Sequence, residues 1–131
     1  MTEVKSYRDL LVWQEAIDLA VHVYELTKSF PRDEIYGLTS QLRRASVSIS
    51  SNIAEGYGRD TTGAYVNHLK IARGSINEVE SLLEVCNRVG LFAAGRATST
   101  AQQADKLNRM LSSLIRSVES NPRDSSPKPK A

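Results

Sequence analysis

The segment "YVNHLKIARGSINEVESLLEVC", residues 65–86, carries the most regular pattern in the sequence. Its apolar side chains recur at alternating steps of four and three residues, at Tyr65, Leu69, Ala72, Ile76, Val79, Leu83 and Cys86. This spacing places one continuous apolar stripe on an α-helix, whereas a half-buried β-strand would alternate at every second residue. The pattern predicts a helix from about Thr62 to Val89 that packs against other helices, with Gly90 at its end.

Three further segments show the same periodicity, from about Asp9 to Lys28, Asp33 to Gly56 and Thr98 to Ser120. Ser6 or Asp9 can cap the first segment, and Pro31 cannot continue it. Since strand-like alternation is absent and the connections are short, four helices of about twenty residues would pack as neighbours in chain order. We therefore predict an all-α fold, an antiparallel up-down-up-down four-helix bundle.

The first segment carries two adjacent apolar stripes. One contains Val12, Ala16, Leu19, Val23 and Leu26; the other, shifted by one position, contains Trp13, Ile17, Ala20, Tyr24 and Thr27. A face this broad contacts either two helices of its own bundle, or one such helix and another subunit. We predict that part of it is buried between subunits.

Length and composition indicate one domain, because 131 residues with 40% hydrophobic content suffice for a single core. We predict a bundle domain at residues 9–120 and an N-terminal tail at residues 1–8. The C-terminal stretch "NPRDSSPKPKA", residues 121–131, has nothing large to bury and is predicted to be a disordered tail. The formal charge of +2 includes no basic run that would bind phosphate backbones by itself.

The sequence predicts a cytoplasmic protein without a membrane segment. The single cysteine, Cys86, excludes an intramolecular disulfide and fits a reducing compartment. No apolar run approaches the roughly 18 residues of a membrane span, and the first ten residues lack the apolar centre of a signal peptide.

A line of polar side chains follows the apolar stripe of the second segment. On a helical wheel it contains Gln41, Arg44, Ser48, Asn52 and Glu55, and Asn52 falls at a position that the heptad assigns to the core. We interpret the line as a hydrogen-bonded network that fixes the register of a closely packed helix, because buried polar groups are tolerated only when paired. A ligand or catalytic site built from the same residues is the alternative.

The sequence offers no complete catalytic site. A di-iron site in a bundle needs Glu-x-x-His pairs, and neither His22 nor His68 has an acid three residues before it. Cys86 occupies a core position and would be an inert thiol. The turn "EGYGRDTTG", residues 55–63, lacks the strand and the Lys-Ser/Thr pair of a phosphate-binding loop. We predict no catalytic residue, no metal ligand and no cofactor, and expect no small-molecule substrate.

Five basic residues around the second and third segments are candidates for contacts with RNA or DNA: Arg43, Arg44, Arg59, Lys70 and Arg73. The alternative is a solvated face whose charges pair within the chain. On a monomer the attraction would be slight, but a symmetric ring would repeat the basic surface and sum its field.

Ordered motifs along almost the whole chain carry a family resemblance. They are Val12, Trp13, Gln14 and Ala16 in the first segment; Phe30, Pro31, Glu34, Tyr36, Gly37 and Leu38 at the start of the second; Gln41, Arg43, Arg44, Ala45, Ser48, Ile49, Asn52, Ile53, Ala54, Glu55, Gly56 and Arg59 along and after it; and Ala72, Gly74, Ser75 and Glu78 in the third. The sequence thereby resembles the 23S rRNA intervening-sequence proteins, a four-helix-bundle family.

The resemblance implies a ring, most often a homopentamer, in the bacterial cytoplasm, and no enzymatic activity. A related accessory protein of diversity-generating retroelements is similar in fold and associates with nucleic acid and a reverse transcriptase. Since Ser75 and Glu78 belong to the shared motifs, we expect them to join the polar network. We expect a non-enzymatic, ring-forming scaffold or accessory factor with weak RNA or DNA binding. A protein-binding adaptor without nucleic-acid contact is the alternative, and a metal-dependent bundle enzyme is a third.

Overall fold

The computed structural model of the protein describes residues 4–122. Its long helices are α1 (Leu11–Thr27), α2 (Ser40–Tyr57), α3 (Thr62–Arg88) and α4 (Thr98–Ser120), and no strand occurs within the described residues. The predicted all-α four-helix bundle is confirmed. Most of the predicted C-terminal tail, residues 123–131, lies outside the described residues, as do residues 1–3.

Neighbouring helices run in opposite directions. In each neighbouring pair, later residues of one helix contact earlier residues of the other. These contacts are Ser48–Ser75 and Asn52–His68 between α2 and α3, Arg73–Ser112 and Asn77–Asn108 between α3 and α4, and Glu15–Lys106 and His22–Gln103 between α1 and α4. The helices therefore alternate in direction along the chain.

The core lies along the bundle axis and takes one inward stripe from each helix. In α3 this stripe is the predicted heptad from Tyr65 to Cys86, every position of which is buried. In α1 the stripe from Val12 to Leu26 is buried, together with Thr27. The second stripe of α1 is only partly covered, and its Tyr24 side chain remains 42% exposed. The bundle therefore uses about half of the apolar face of α1.

Ordered structure begins before α1. Ser6 caps a 3-10 helix, Tyr7–Asp9, because its hydroxyl accepts a hydrogen bond from the Arg8 N–H at 3.2 Å. The Asp9 carboxylate accepts a hydrogen bond from the Ser6 N–H at 3.2 Å, which completes a capping box. The ring of Tyr7 then meets the edge of Trp13 at a centroid distance of 5.2 Å. These contacts attach the start of the described chain to the bundle.

The second helix begins later than the sequence spacing predicts. A 3-10 helix, Arg32–Glu34, and a π-helical turn, Ile35–Thr39, precede α2. Gly37 leaves the helical region, with φ −110° and ψ −117°, and the Glu34 carboxylate accepts a hydrogen bond from the Leu38 N–H at 3.2 Å. A Cβ at position 37 would lie 2.8 Å from Glu34 Oε1. A side chain at position 37 would therefore have to displace the Glu34 carboxylate from its hydrogen bond with Leu38. The regular helix starts only with α2.

The connection from α3 to α4 uses glycine at a positive φ. Gly90 has φ 79°, and its N–H donates to the Asn87 carbonyl at 3.2 Å. The Leu91 N–H donates to the Cys86 carbonyl at 3.0 Å. These two bonds form a Schellman motif, in which the left-handed residue after the helix is usually glycine. Gly90 thus stands just after the end of α3, close to the predicted position.

Helices α2 and α3 approach each other closely at Gly56, which is buried in α2. A Cβ at this position would lie 2.7 Å from the Cβ of His68 and 3.2 Å from the Tyr65 ring. Both distances are shorter than normal van der Waals contact, and the His68 Cβ cannot move without its backbone. The separation of α2 and α3 at this end of the bundle therefore depends on glycine.

We predict that Gly56→Ala destabilises the fold by about 1–3 kcal/mol, because the added methyl group must push α2 away from α3. Gly74→Ala is the matched control, since Gly74 is exposed in α3 and a Cβ there meets nothing within 4 Å. It should stabilise the protein by about 0.4–1 kcal/mol by restricting the unfolded chain. Urea unfolding followed by circular dichroism measures both, and equal midpoints for the two variants would contradict the close approach.

Candidate functional surfaces

A chain of hydrogen bonds links α2 to α3 on the outside of the apolar core. The Asn52 amide N–H donates to the Ser48 carbonyl at 2.9 Å and to the Ser48 hydroxyl at 3.1 Å. The Asn52 carbonyl oxygen lies 3.1 Å from His68 Nδ1, and the Ser75 hydroxyl donates to that of Ser48 at 3.0 Å. The Arg59 Nε–H donates to His68 Nε2 at 3.2 Å. We name these five residues the α2–α3 polar seam.

The polar seam holds α2 against α3 and lacks the arrangement that nucleophilic catalysis needs. Because Arg59 donates to Nε2 of His68, that nitrogen must accept, so Nδ1 carries the proton and donates to Asn52. Both imidazole nitrogens are thus engaged, and neither contacts a serine hydroxyl. A nucleophilic serine would need a base within hydrogen-bond reach. The seam instead satisfies polar groups across the helix contact and fixes its register.

The structure brings three of the predicted network residues together and separates the others. Ser48, Asn52 and Ser75 lie in the polar seam. The remaining members are exposed, and within residues 4–122 their side chains make no hydrogen bond or ion pair: Gln41, Arg44, Glu55 and Glu78. His68 and Arg59 complete the seam but were not assigned to it from the sequence. The spacing of His68, seven residues and two turns before Ser75, is the signal that could have placed it there.

The five candidate basic residues do not share one surface. Arg43 faces α1, where its Nε–H donates to the Thr27 hydroxyl at 2.8 Å and its guanidinium lies 4.5 Å from the Tyr24 ring centroid. Arg73 faces α4 and donates to the Ser112 hydroxyl at 3.3 Å.

The other three candidates differ in their partners. Lys70 pairs with Glu119 of α4 at 3.9 Å, and both side chains are about half exposed. Arg59 belongs to the polar seam, and Arg44 projects into solvent from α2. The cationic side chains are therefore distributed around the bundle. Because the hydroxyl partners of Arg43 and Arg73 are neutral, they do not neutralise these two charges.

Titratable side chains outside these contacts do not form a metal centre. Within residues 4–122, no three His, Cys, Asp or Glu side chains converge in a way that could hold a metal ion. His22 Nδ1 lies 2.6 Å from the amide oxygen of Gln103. Cys86 is buried; burial raises the pKa of its thiol above the ordinary value, and the negative charge of Glu34 raises it further. This thiol stays protonated at neutral pH and packs as part of the core.

An apolar groove lies between α1 and α2, with a volume of about 580 Å³. Its lining includes Ile17, Ala20, Val21, Tyr24, Val47 and Ser50, together with Glu25 and Lys28. Val21, Tyr24 and Val47 are 49%, 42% and 42% exposed. We name this feature the α1–α2 groove. It contains three residues of the second apolar stripe of α1, Ile17, Ala20 and Tyr24, which the core covers only in part.

Two other grooves differ from it in character. The α1–α4 groove, of about 960 Å³, is lined by apolar residues that include Leu10, Leu11, Met110 and Leu114. A groove of about 660 Å³ between α3 and α4 is more polar, and its three acids are Glu80, Glu84 and Asp105. Two of these acids pair with neighbouring arginines on their own helices. Over the part of the chain that the structure describes, no helix combines the length and apolar character needed to span a bilayer.

Comparison with known proteins finds relatives of this chain. The sequence profile of the family described as "23S rRNA-intervening sequence protein" matches residues 8–113. Among solved structures, the chain is similar to a protein of unknown function from the S23 ribosomal protein family of Bacteroides thetaiotaomicron, with 24% identity and a TM-score of 0.73. The match covers 81% of this chain and 99% of that one, which shows a shared fold. No curated protein matches the sequence.

We predict that Asn52→Leu lowers the free energy of unfolding by about 1–2 kcal/mol, because His68 Nδ1 loses its acceptor and each Ser48 oxygen loses one donor. Asn67→Leu is the control, since Asn67 is exposed on α3 and makes no side-chain hydrogen bond within residues 4–122. Chemical unfolding of both variants measures the difference. Equal stability of Asn52→Leu and the parent would show that the seam contributes nothing to the fold.

Proposed function

Because this chain belongs to the 23S rRNA-intervening sequence protein family, we propose that it acts without catalysis, as a self-assembling helical scaffold or accessory factor. In this proposal several copies form a ring in the bacterial cytoplasm, with five as the subunit number that the family resemblance implies. The ring presents its cationic side chains repeatedly to RNA or DNA, and its contact with nucleic acid is weak and dependent on salt.

The observation that carries the proposal is the uncovered apolar face of α1 and α2. Val21, Tyr24 and Val47 are each more than 40% exposed and line one groove. Contiguous apolar surface of this kind on a folded domain marks an interaction site. We take a second copy of the chain as the partner, because other copies are present wherever the protein is made. If the contact joins different surfaces of the two copies, repetition generates a closed ring when the rotation allows it.

The proposed contact with nucleic acid rests on the distribution of cationic side chains. Arg44 is exposed without a partner in residues 4–122, and the hydroxyl partners of Arg43 and Arg73 leave those charges in place. Each copy contributes only a few such charges. A ring of copies sums them, and neutralisation of phosphates then releases counterions.

We predict that the protein is oligomeric at micromolar concentration and that Val47→Glu dissociates it, because a charge would have to be buried at the contact. Val85→Glu is the matched control, since Val85 is 43% exposed on α3 and Val47 is 42% exposed in the groove. Light scattering coupled to size exclusion gives the native mass. A parent protein with the mass of one chain would overturn the proposal, and equal effects of the two substitutions would move the contact elsewhere.

We predict weak binding to mixed-sequence single-stranded RNA that falls steeply between about 50 and 200 mM salt. Arg44→Ala should lower the affinity for all sequences and flatten its dependence on salt, because one phosphate contact per copy is lost. Arg88→Ala is the control, since Arg88 is already paired with Glu84 at 3.0 Å. Fluorescence anisotropy measures both. An assembled protein that ignores RNA at low salt would favour the alternative, an adaptor that contacts only proteins.

A further inference from the structure

The π-helical turn before α2 carries a pair of exposed apolar side chains. Tyr36 is 96% exposed and Ile35 is 46% exposed. We name this pair the Ile35–Tyr36 knob. A tyrosine ring so completely in water is unusual, because aromatic side chains bury about 150–250 Å² each when they find a partner.

The knob is held in a defined position. On one side the Glu34 carboxylate accepts the hydrogen bond from the Leu38 N–H and lies against Gly37. On the other side Thr39 is buried at 6% exposure, directly before α2. Because the backbone is held at both ends of the turn, only the Ile35 and Tyr36 side chains remain to be ordered when the knob binds.

The α1–α2 groove has the complementary shape and polarity. It is concave, has a volume of about 580 Å³ and is lined largely by apolar side chains and Tyr24. In the same molecule Tyr36 is nearly fully exposed, so the knob does not occupy the groove of its own chain. The chain thus presents an empty apolar groove and a free apolar projection at once.

Charges beside the two features are complementary as well. Arg32 and Asp33 precede the knob, separated from it by Glu34, and both are exposed. The Glu34 carboxylate is already engaged by the Leu38 N–H. Glu25 and Lys28 line the groove and are also exposed. None of these four exposed side chains makes an ion pair within residues 4–122. One acid and one base on each side allow two ion pairs across a contact between copies.

The α1–α4 groove is larger but lacks this match. Its Asp9 carboxylate is already used by the N–H groups of Lys5 and Ser6, and its Arg109 pairs with Asp105. The charges that precede the knob, one base and two acids, also fit a protein surface better than a phosphate backbone, which would call for cations.

We infer that the Ile35–Tyr36 knob of one copy docks into the α1–α2 groove of the next copy. This inference rests on the proposed self-assembly and specifies its contact. Because knob and groove are different surfaces, each copy can give its knob to one neighbour and receive the knob of another, which is the head-to-tail contact that a ring requires. Reciprocal exchange between two copies would instead close a dimer, and the native mass distinguishes the two assemblies. A stable interface covers roughly 800 Å² on each partner, so Tyr36 acts as the central anchor and the neighbouring helix faces supply the rest.

The first test is the native mass of Tyr36→Ala as a function of protein concentration. We expect its dissociation constant for assembly to rise by at least about tenfold, while Tyr36→Phe stays close to the parent, because the ring provides the anchor. Since Tyr36 is exposed in the single chain, helicity and unfolding of the separated copies should not change. Ile71→Ala is the control, because Ile71 is 45% exposed on α3, close to the 46% of Ile35, and lines none of the three grooves.

The second test locates the groove. The photocrosslinking residue p-benzoylphenylalanine replaces Tyr36 and retains an aromatic knob. This protein is mixed with parent protein that is uniformly labelled with nitrogen-15, and illuminated. We expect mixed-isotope adducts on the tryptic peptides Asp9–Lys28 and Ala45–Arg59, which contain the groove residues. The same photocrosslinking residue at Ile71, which lines none of the grooves, should not label these peptides.

The outcomes separate the inference from the proposed function. A parent protein that is monomeric overturns both. An assembled parent whose mass is unaffected by Tyr36→Ala, or whose adducts fall outside the two peptides or only within one copy, overturns the knob-in-groove contact and leaves self-assembly standing. A Tyr36→Ala variant that assembles normally but loses RNA binding would assign the knob to nucleic acid and also overturn the inference.

Discussion

The close contact between α2 and α3 is the constraint on which the rest of the bundle depends. Gly56 sets the distance at one end, because a Cβ there would lie 2.7 Å from that of His68. The polar seam sets the register, because the Asn52–His68 and Ser48–Ser75 contacts can form together in only one axial position. Once this pair is fixed, α4 follows antiparallel to α3 after the turn at Gly90, and α1 covers the remaining side of the core.

The fold could be predicted from the sequence because the spacing of apolar residues indicates which face of each helix is buried. Every heptad position of α3 between Tyr65 and Cys86 is buried, and the stripe of α1 from Val12 to Leu26 lies in the core. The π-helical turn could not be predicted in the same way. Its apolar spacing continues that of α2, and the departure at Gly37 depends on a hydrogen bond from Leu38 to the Glu34 side chain, which spacing does not encode.

The candidate site was less accessible to the same reasoning, because polar contacts depend on a few degrees of helix rotation. Gln41 and Glu55 share a wheel position with Ser48 and Asn52, yet only the latter pair turns toward α3. For the basic residues, the sequence gives the number of charges but not their directions. Arg43 donates to a hydroxyl on α1, whereas Arg73 donates to a hydroxyl on α4. Basic residues on the neighbouring helices α2 and α3 therefore do not form one surface.

Two departures from a minimal bundle account for the surfaces that remain uncovered. A four-helix core needs one inward stripe from α1, and the second stripe places Ile17, Ala20 and Tyr24 in an open groove, beside Val21 and Val47. A regular start to α2 would have needed no π-helical turn, and that turn is what holds Tyr36 in water. Neither feature lowers the free energy of a single chain, since exposed apolar surface contributes nothing to folding. Both surfaces therefore stay available for contacts outside the single chain, and the proposed self-assembly rests on them.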